Sequence, residues 1–438
     1  MDDPPLAANQ IRVAGMRGVL IATMLLTLAF GCRVPDPPVL KNKSHGIVYD
    51  TALEDDIRSG KAHQLVTTAL AQYVDTLAEP VAITEWAENS CRWKVFVATN
   101  RGWFASPSDL EAANTVLDHV EYGSCDVGLP KQPRGTEVKA KSDRRGIALA
   151  SASSSAASGS APARMASVES SPLSESLFLD GVNQQIERSR QQDLLIFVHG
   201  FNVSFDSAVT RTAQLALDMP FNGAIVSYCW PSQGGVRNYD EDERNNQASV
   251  APFSEFLQTL RAGVPSQTRI HIVVHSMGNR IVMESLSQLP APRNGTPVAN
   301  LVLCAPDVGR SDFMKWAPGT VAQCEQVTLY ANASDSALIV SKSLHSEMRA
   351  GDAEQPVIVE GVETIDCSRI DLSFMGHSYY GSNTDMLSDL FMLVKEDLPA
   401  SKRSHLKKRK SPDGPYWEFA SSAPVLLWTW HFKQIESP

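Results

Sequence analysis

The chain has 438 residues and carries 39 basic against 49 acidic side chains, a formal net charge of −10. That balance argues against a nucleic-acid partner, while length and composition suit one main domain with appendages.

Read from its start, the chain passes Arg12 and Arg17 and enters an apolar stretch of fourteen residues, Gly18 to Gly31, that ends at Cys32. This is too short for a comfortable membrane span and right for a signal-peptide core. Ala29-Phe30-Gly31-Cys32 resembles a lipoprotein processing site, with Phe30 bulkier than the usual residue, and a start at Met16 gives a more ordinary signal length. Cys32 is then expected to carry lipid, residues 33–44 to be a Pro- and Lys-rich tether, and the protein to be exported and held to a membrane of the bacterial envelope. An ordinary cleaved signal and an uncleaved anchor are the alternatives.

Residues 45–90 read as mainly helical, with Ala62 to Leu77 the clearest run, and form a cap or brace without recognisable chemistry. The main domain is expected over 91–398. It is interrupted at 139–176 by a Ser/Ala-rich stretch that lacks apolar periodicity and reads as a flexible insertion. Export permits disulfides, and Cys91 with Cys125 is the first pairing expected; Cys229, Cys304 and Cys367 fall in or beside strand-like runs and read as small buried apolar residues. No Cys or His cluster has zinc spacing, so neither a metal nor another cofactor is expected.

The chemistry begins at Asp193 to Asn202, a buried-strand run that ends in His199-Gly200-Phe201-Asn202. Strand-like runs recur at 223–228, 270–274, 299–305, 326–331 and 362–367 with helical patterns between most of them, as a mostly parallel, doubly wound α/β sheet requires. Between the run at 270–274 and the helical stretch Asn279 to Leu289 stands Val274-His275-Ser276-Met277-Gly278. That is where a strand-to-helix nucleophile elbow sits in an alpha/beta hydrolase, although Val274 occupies the place of the usual first glycine. Ser276 is therefore the candidate nucleophile. The backbone N–H groups of Met277 and of Phe201 or Asn202 are the candidate oxyanion donors, with Gly200 allowing close approach. The run at 326–331 ends in Asn332-Ala333-Ser334-Asp335, and a loop after the last run carries Gly376-His377-Ser378, so Asp335 and His377 complete the chain order Ser, Asp, His.

Each of these roles has rivals in the sequence. Asp307, just beyond the strand end at Ala305-Pro306, is the runner-up acid; His345 would have to act from within a helix; His199, His275 and His271 read as packing and hydrogen-bonding residues. Trp230-Pro231 and the polar segment to Asn246 follow a strand at the edge where such sheets bind ligands, and are expected to shape the acyl pocket. No long apolar lid is evident, so the expected substrate is a small or medium acyl ester and not bulk triglyceride. At the far end, Lys402 to Lys410 form a basic cluster followed by Tyr416-Trp417 and Trp428-Thr429-Trp430; a solvated charge run with a C-terminal strand is preferred over contact with anionic lipid.

Phe197 to Asn202, Trp230-Pro231-Ser232 with Tyr239 to Asn246, Val274 to Arg280, Ala305-Pro306-Asp307 and Tyr330 to Asp335 together resemble the bacterial alpha/beta-hydrolase family catalogued as domain of unknown function 900. The resemblance extends to Val95–Arg101 and Tyr122–Gly128 and runs to about Val394. It implies fold and hydrolase class, and in that family a non-glycine before His-Ser-Met-Gly is a habit; it supplies neither substrate nor protein partner. The alternatives to a serine esterase are an envelope-tethered binding protein on a hydrolase scaffold and an envelope acyltransferase.

Overall fold

The computed structural model describes residues 81–86, 90–102, 115–130, 167–189, 191–219, 221–233, 238–290, 297–370, 384–403 and 405–419. Its centre is built from short strands that are apolar on both faces. β5 (Asp193–Val198), β6 (Ala224–Cys229), β7 (Arg269–His275) and β8 (Val298–Cys304) are buried almost throughout, which is how parallel strands covered on both sides are composed. β9 (Cys324–Ala331) and β10 (Val362–Asp366) continue the series.

Among the described residues, the strands before these are β1 (Ile83–Trp86), β2 (Ser90–Arg101), β3 (Val116–Pro130) and β4 (Ser167–Leu173), and those after them are β11 (Leu406–Ser411) and β12 (Gly414–Phe419). All belong to one sheet of order β11-β12-β10-β9-β8-β7-β5-β6-β2-β3-β4, with β1 paired to β2. From β12 across to β2 every pairing is parallel; β3, β4, β1 and β11 are antiparallel additions. Among the described residues eight helices flank it: α1 (Glu175–Arg188), α2 (Phe205–Asp218), α3 (Tyr239–Ala248), α4 (Val250–Gly263), α5 (Gly278–Gln288), α6 (Arg310–Val321), α7 (Ser336–His345) and α8 (Thr384–Val394). α5 shows how they form: Ile281, Val282, Met283 and Leu286 recur at helical spacing and are buried. No helix among the described residues is long and apolar enough to cross a membrane.

Within β5 to β10 the order of the sheet reverses once. From β5 the chain moves outward to β6, then returns to β7 on the other side of β5 and proceeds to β8, β9 and β10. The crevice at the carboxyl ends of β5 and β7 is thus a topological switch point, where open α/β sheets bind ligands.

Four expectations are corrected. The stretch read as a flexible insertion ends in β4, whose residues Ser167 to Leu173 pair with β3, and Ser174 caps α1 with its hydroxyl. β4 is an outer strand with mostly exposed side chains, so its backbone pairs without the apolar alternation that marks a half-buried strand. The segment 45–90, expected to be mainly helical, holds the strand β1 near its end; Ala62 to Leu77 lie outside the described residues. The main domain does not stop at 398: the tail holds the strand preferred for it, β12, which pairs with β10, and β11 closes the sheet edge, with lysines discouraging further pairing there. Cys91 and Cys125 are not joined, because Cys91 stands opposite Leu129 and Cys125 opposite Val95. Four residues of strand, about 13 Å, separate the two, beyond the reach of a disulfide. Cys229, Cys304 and Cys367 are buried, as their strand positions suggested.

Candidate active site

β5 and β7 run in register, Val198 beside Val274, so His199-Gly200 and His275-Ser276 leave the sheet together. Ser276 has φ +50°, the left-handed region that costs a non-glycine residue roughly 1–2 kcal/mol. Such strain persists only where the surroundings enforce it. Here the Ser276 N–H donates to the Cys304 carbonyl at 2.9 Å, tying the turn to β8.

Two glycines make the turn possible. A Cβ on Gly200 would lie 2.8 Å from the Cβ of Ser276, and one on Gly278 would lie 2.4 Å from the His199 carbonyl oxygen. Both separations are below van der Waals contact, so the loop after β5 and the turn after β7 interlock through bare backbone. Val274, by contrast, packs its side chain into the core. The missing first glycine is therefore no defect: the close approaches fall on Gly200 and Gly278.

The loop Gly200 to Ser204 is held from below and from the side. Trp230 stacks on the His199 ring at 5.1 Å and donates its indole N–H to the His199 carbonyl at 2.8 Å. Trp230 is fully buried, so it supports the loop and does not line an open pocket. The guanidinium of buried Arg101, at the end of β2, donates to the carbonyls of Trp230 at 2.8 Å and Ser232 at 2.9 Å; burial lowers its pKa to about 10. Ser232 in turn accepts from the Val203 N–H and donates to Asp242 on α3.

Asn202 lies in the left-handed region at φ +58° and its N–H is directed to the Asp242 carboxylate at 3.4 Å. This corrects its candidacy as an oxyanion donor. The Phe201 N–H has no acceptor among the described residues. Met277 is the N-cap of α5, ahead of the first intrahelical bond, so its N–H has no helical acceptor either.

The acids divide clearly. Asp335 caps α7: its Oδ1 accepts the N–H groups of Ala337 at 2.9 Å and Leu338 at 3.1 Å, which leaves Oδ2 unused by the helix. Burial raises its pKa, the two N–H bonds oppose that, and the charge of Asp307 adds to it. Asp307 is 3% exposed and saturated. Its Oδ1 takes Ser341 and Arg349, and its Oδ2 takes Tyr239 at 3.0 Å and Arg280 at 3.1 Å. Burial alone would raise its pKa, but the two guanidinium groups and two hydroxyls outweigh it and hold the carboxyl below the ordinary range. No histidine touches it among the described residues.

His345 stands on α7 with both ring nitrogens engaged, Nε2 at 2.6 Å from Glu243 and Nδ1 at 2.8 Å from the Ser341 carbonyl. His271 is buried between Asp193 and Asn300, far down β7. His377 and Cys32 lie outside the described residues, so the structure places neither. Burial pushes up the thiols of Cys125, Cys304, Cys324 and Cys367, and that of Cys229 to about 11, so none of these five offers a thiolate to rival the serine. Arg101 and Asp242 lie in segments that carry the family resemblance, but neither stands out as a site residue from sequence alone. Their signal was a charged residue at the end of an apolar run and another within a polar helix.

A family model described as alpha/beta hydrolase of unknown function (DUF900) matches residues 175–394. The chain is also similar to the uncharacterized protein alr1448 of Nostoc sp., at 25% identity over 24% of this chain and 34% of that protein. The matched part thus spans about a third of that relative's length. No solved structure matches the chain.

Proposed function

Since the chain belongs to the DUF900 family of alpha/beta hydrolases, we propose that it is a serine hydrolase which cleaves a small or medium acyl ester through Ser276. The observation that carries this reading is Ser276 itself, strained at φ +50° at the switch point with Gly200 pressed against its Cβ.

In this reading His377 takes the Ser276 proton while the hydroxyl oxygen attacks the acyl carbonyl. The tetrahedral oxyanion is met by the N–H groups of Met277 and Phe201. Its collapse expels the alcohol, which leaves with the proton from His377. Water then loses a proton to His377 and attacks the acyl-enzyme, the carboxylic acid departs, and Ser276 recovers its proton. Asp335 orients the imidazole and stabilises its cation, using the carboxylate oxygen that the helix does not use. Asp307, already neutralised by two arginines, has no such oxygen to offer.

The test is fluorophosphonate labelling of the full chain beside Ser276→Ala, with hydrolysis of p-nitrophenyl acetate and butyrate in the same samples. Labelling and turnover lost in the variant, with little activity on long-chain emulsions, are the expected result. A folded wild type that neither labels nor turns over would leave only a scaffold.

A further inference from the structure

Two asparagines near Ser276 take no part in that mechanism. Asn279, on the first turn of α5, is wholly buried, and its side-chain amide donates to the Ser276 carbonyl at 2.8 Å. The same carbonyl accepts the backbone N–H of Asn279 at 3.1 Å and that of Asp307 at 3.2 Å. Asn246, at 2% exposure on α3, donates its side-chain amide to the next carbonyl along, that of Met277, at 3.1 Å. Met277 is thus bracketed by side-chain amides on both of its peptide groups.

The consequence lies in peptide geometry. In a trans peptide the C=O and N–H point in opposite directions, so three donors on the Ser276 carbonyl fix where the Met277 N–H aims. From this arrangement we infer that Asn279 and Asn246 are positioning residues for the oxyanion donor at Met277. Asn279 sets the tilt of the donating peptide, and Asn246 keeps the following one from rotating it away. Neither touches the substrate. A preformed hole acts only when its donors already face the place where charge develops, and misplacement by about 1 Å can cost on the order of a hundredfold. The inference rests on Ser276 being the nucleophile.

Its test uses Asn279→Ala, Asn279→Asp and Asn246→Ala in the full chain with p-nitrophenyl butyrate. Asn279→Asp keeps the side chain's shape and removes its donor hydrogens, so it carries the test should the alanine variant not fold. Each folded variant is expected to lose about 10- to 100-fold in kcat with KM within about threefold, because the lost interaction operates in the transition state. The acid limb of the pH profile should stay in place, since the general base is untouched. Folded variants within twofold of wild-type kcat, or a loss that merely follows the unfolded fraction, overturn the inference while Ser276→Ala remains inactive. A silent wild type overturns the nucleophile reading and this inference together.

Discussion

At the residue scale the sharpest question is which carboxylate serves the general base. Asp335 does two jobs that can be separated. Asparagine at an N-cap accepts the same N–H bonds as aspartate, so Asp335→Asn should keep the stability of α7 yet lose about 10⁴-fold in turnover if Asp335 orients the imidazole. Asp307→Asn should do the reverse. It leaves Arg280 and Arg349 short of a buried counter-charge and should cost about 3–5 kcal/mol in urea unfolding, with the folded fraction still active. Turnover surviving in Asp335→Asn and lost in folded Asp307→Asn would reverse the assignment. Much of this was legible beforehand. Ser276, Gly278 and Gly200 announce themselves because a tight turn admits few residue types. Asn202 misled because sequence shows that a residue lies in the loop but not which way its N–H points.

At the scale of elements, α3 and α7 are joined by a charged lattice. Glu243 on α3 meets Arg280 at 2.7 Å and His345 of α7 at 2.6 Å, and Tyr239 reaches Asp307. Burial would raise the Glu243 pKa, but hydrogen bonds from His345 and Arg280 outweigh it and bring it down to about 2 from 4.5. His199 departs downward as well, to about 3 from 6.5, through burial and the nearby Arg101 charge. The signs agree. A histidine that resists protonation when folded contributes stability above its unfolded value, and this is lost as pH falls from 6.5 toward about 3. A depressed carboxyl contributes above 4.5, and this is lost as pH falls through about 2. Tm measured from pH 8 downward should therefore decline first below 6.5 and again below 4.5. In Glu243→Gln the second decline should flatten. A Tm that holds level to pH 4 would contradict the burial of a neutral His199. The sequence marks α7 as a helix but α3 only as a polar segment, and it could not show that their polar faces meet, since ion pairs across elements leave no spacing signal.

Across the whole molecule, the central strands were readable and the flanks were not. β5 to β8 are largely apolar runs, as doubly covered strands must be, whereas β4 and β11 expose many of their side chains and resemble a linker and a solvated charge run. What holds the last hairpin is also invisible to periodicity. Asp389 of α8, wholly buried, gathers Tyr330 of β9, Arg403 and His405, so the segment leading into β11 is pinned by charge from beneath.

The outer pair β3 and β4 has one further consequence. Gly128 stands directly opposite Ser167, so the chain leaves the sheet and rejoins it at neighbouring points, on the side remote from β5 and β7. Closing such a gap depends weakly on what spans it, about 0.6 kcal/mol for each doubling of length. From the pairing of its flanks, the interval is expected to tolerate changes of length. Replacing residues 131–166 by a short Gly-Asn turn should leave ester turnover within about twofold and Tm within a few degrees, as kinetic assay and calorimetry would register. Lineages carrying this fold would then be free to vary in length there while the crevice between β5 and β7 stays as it is.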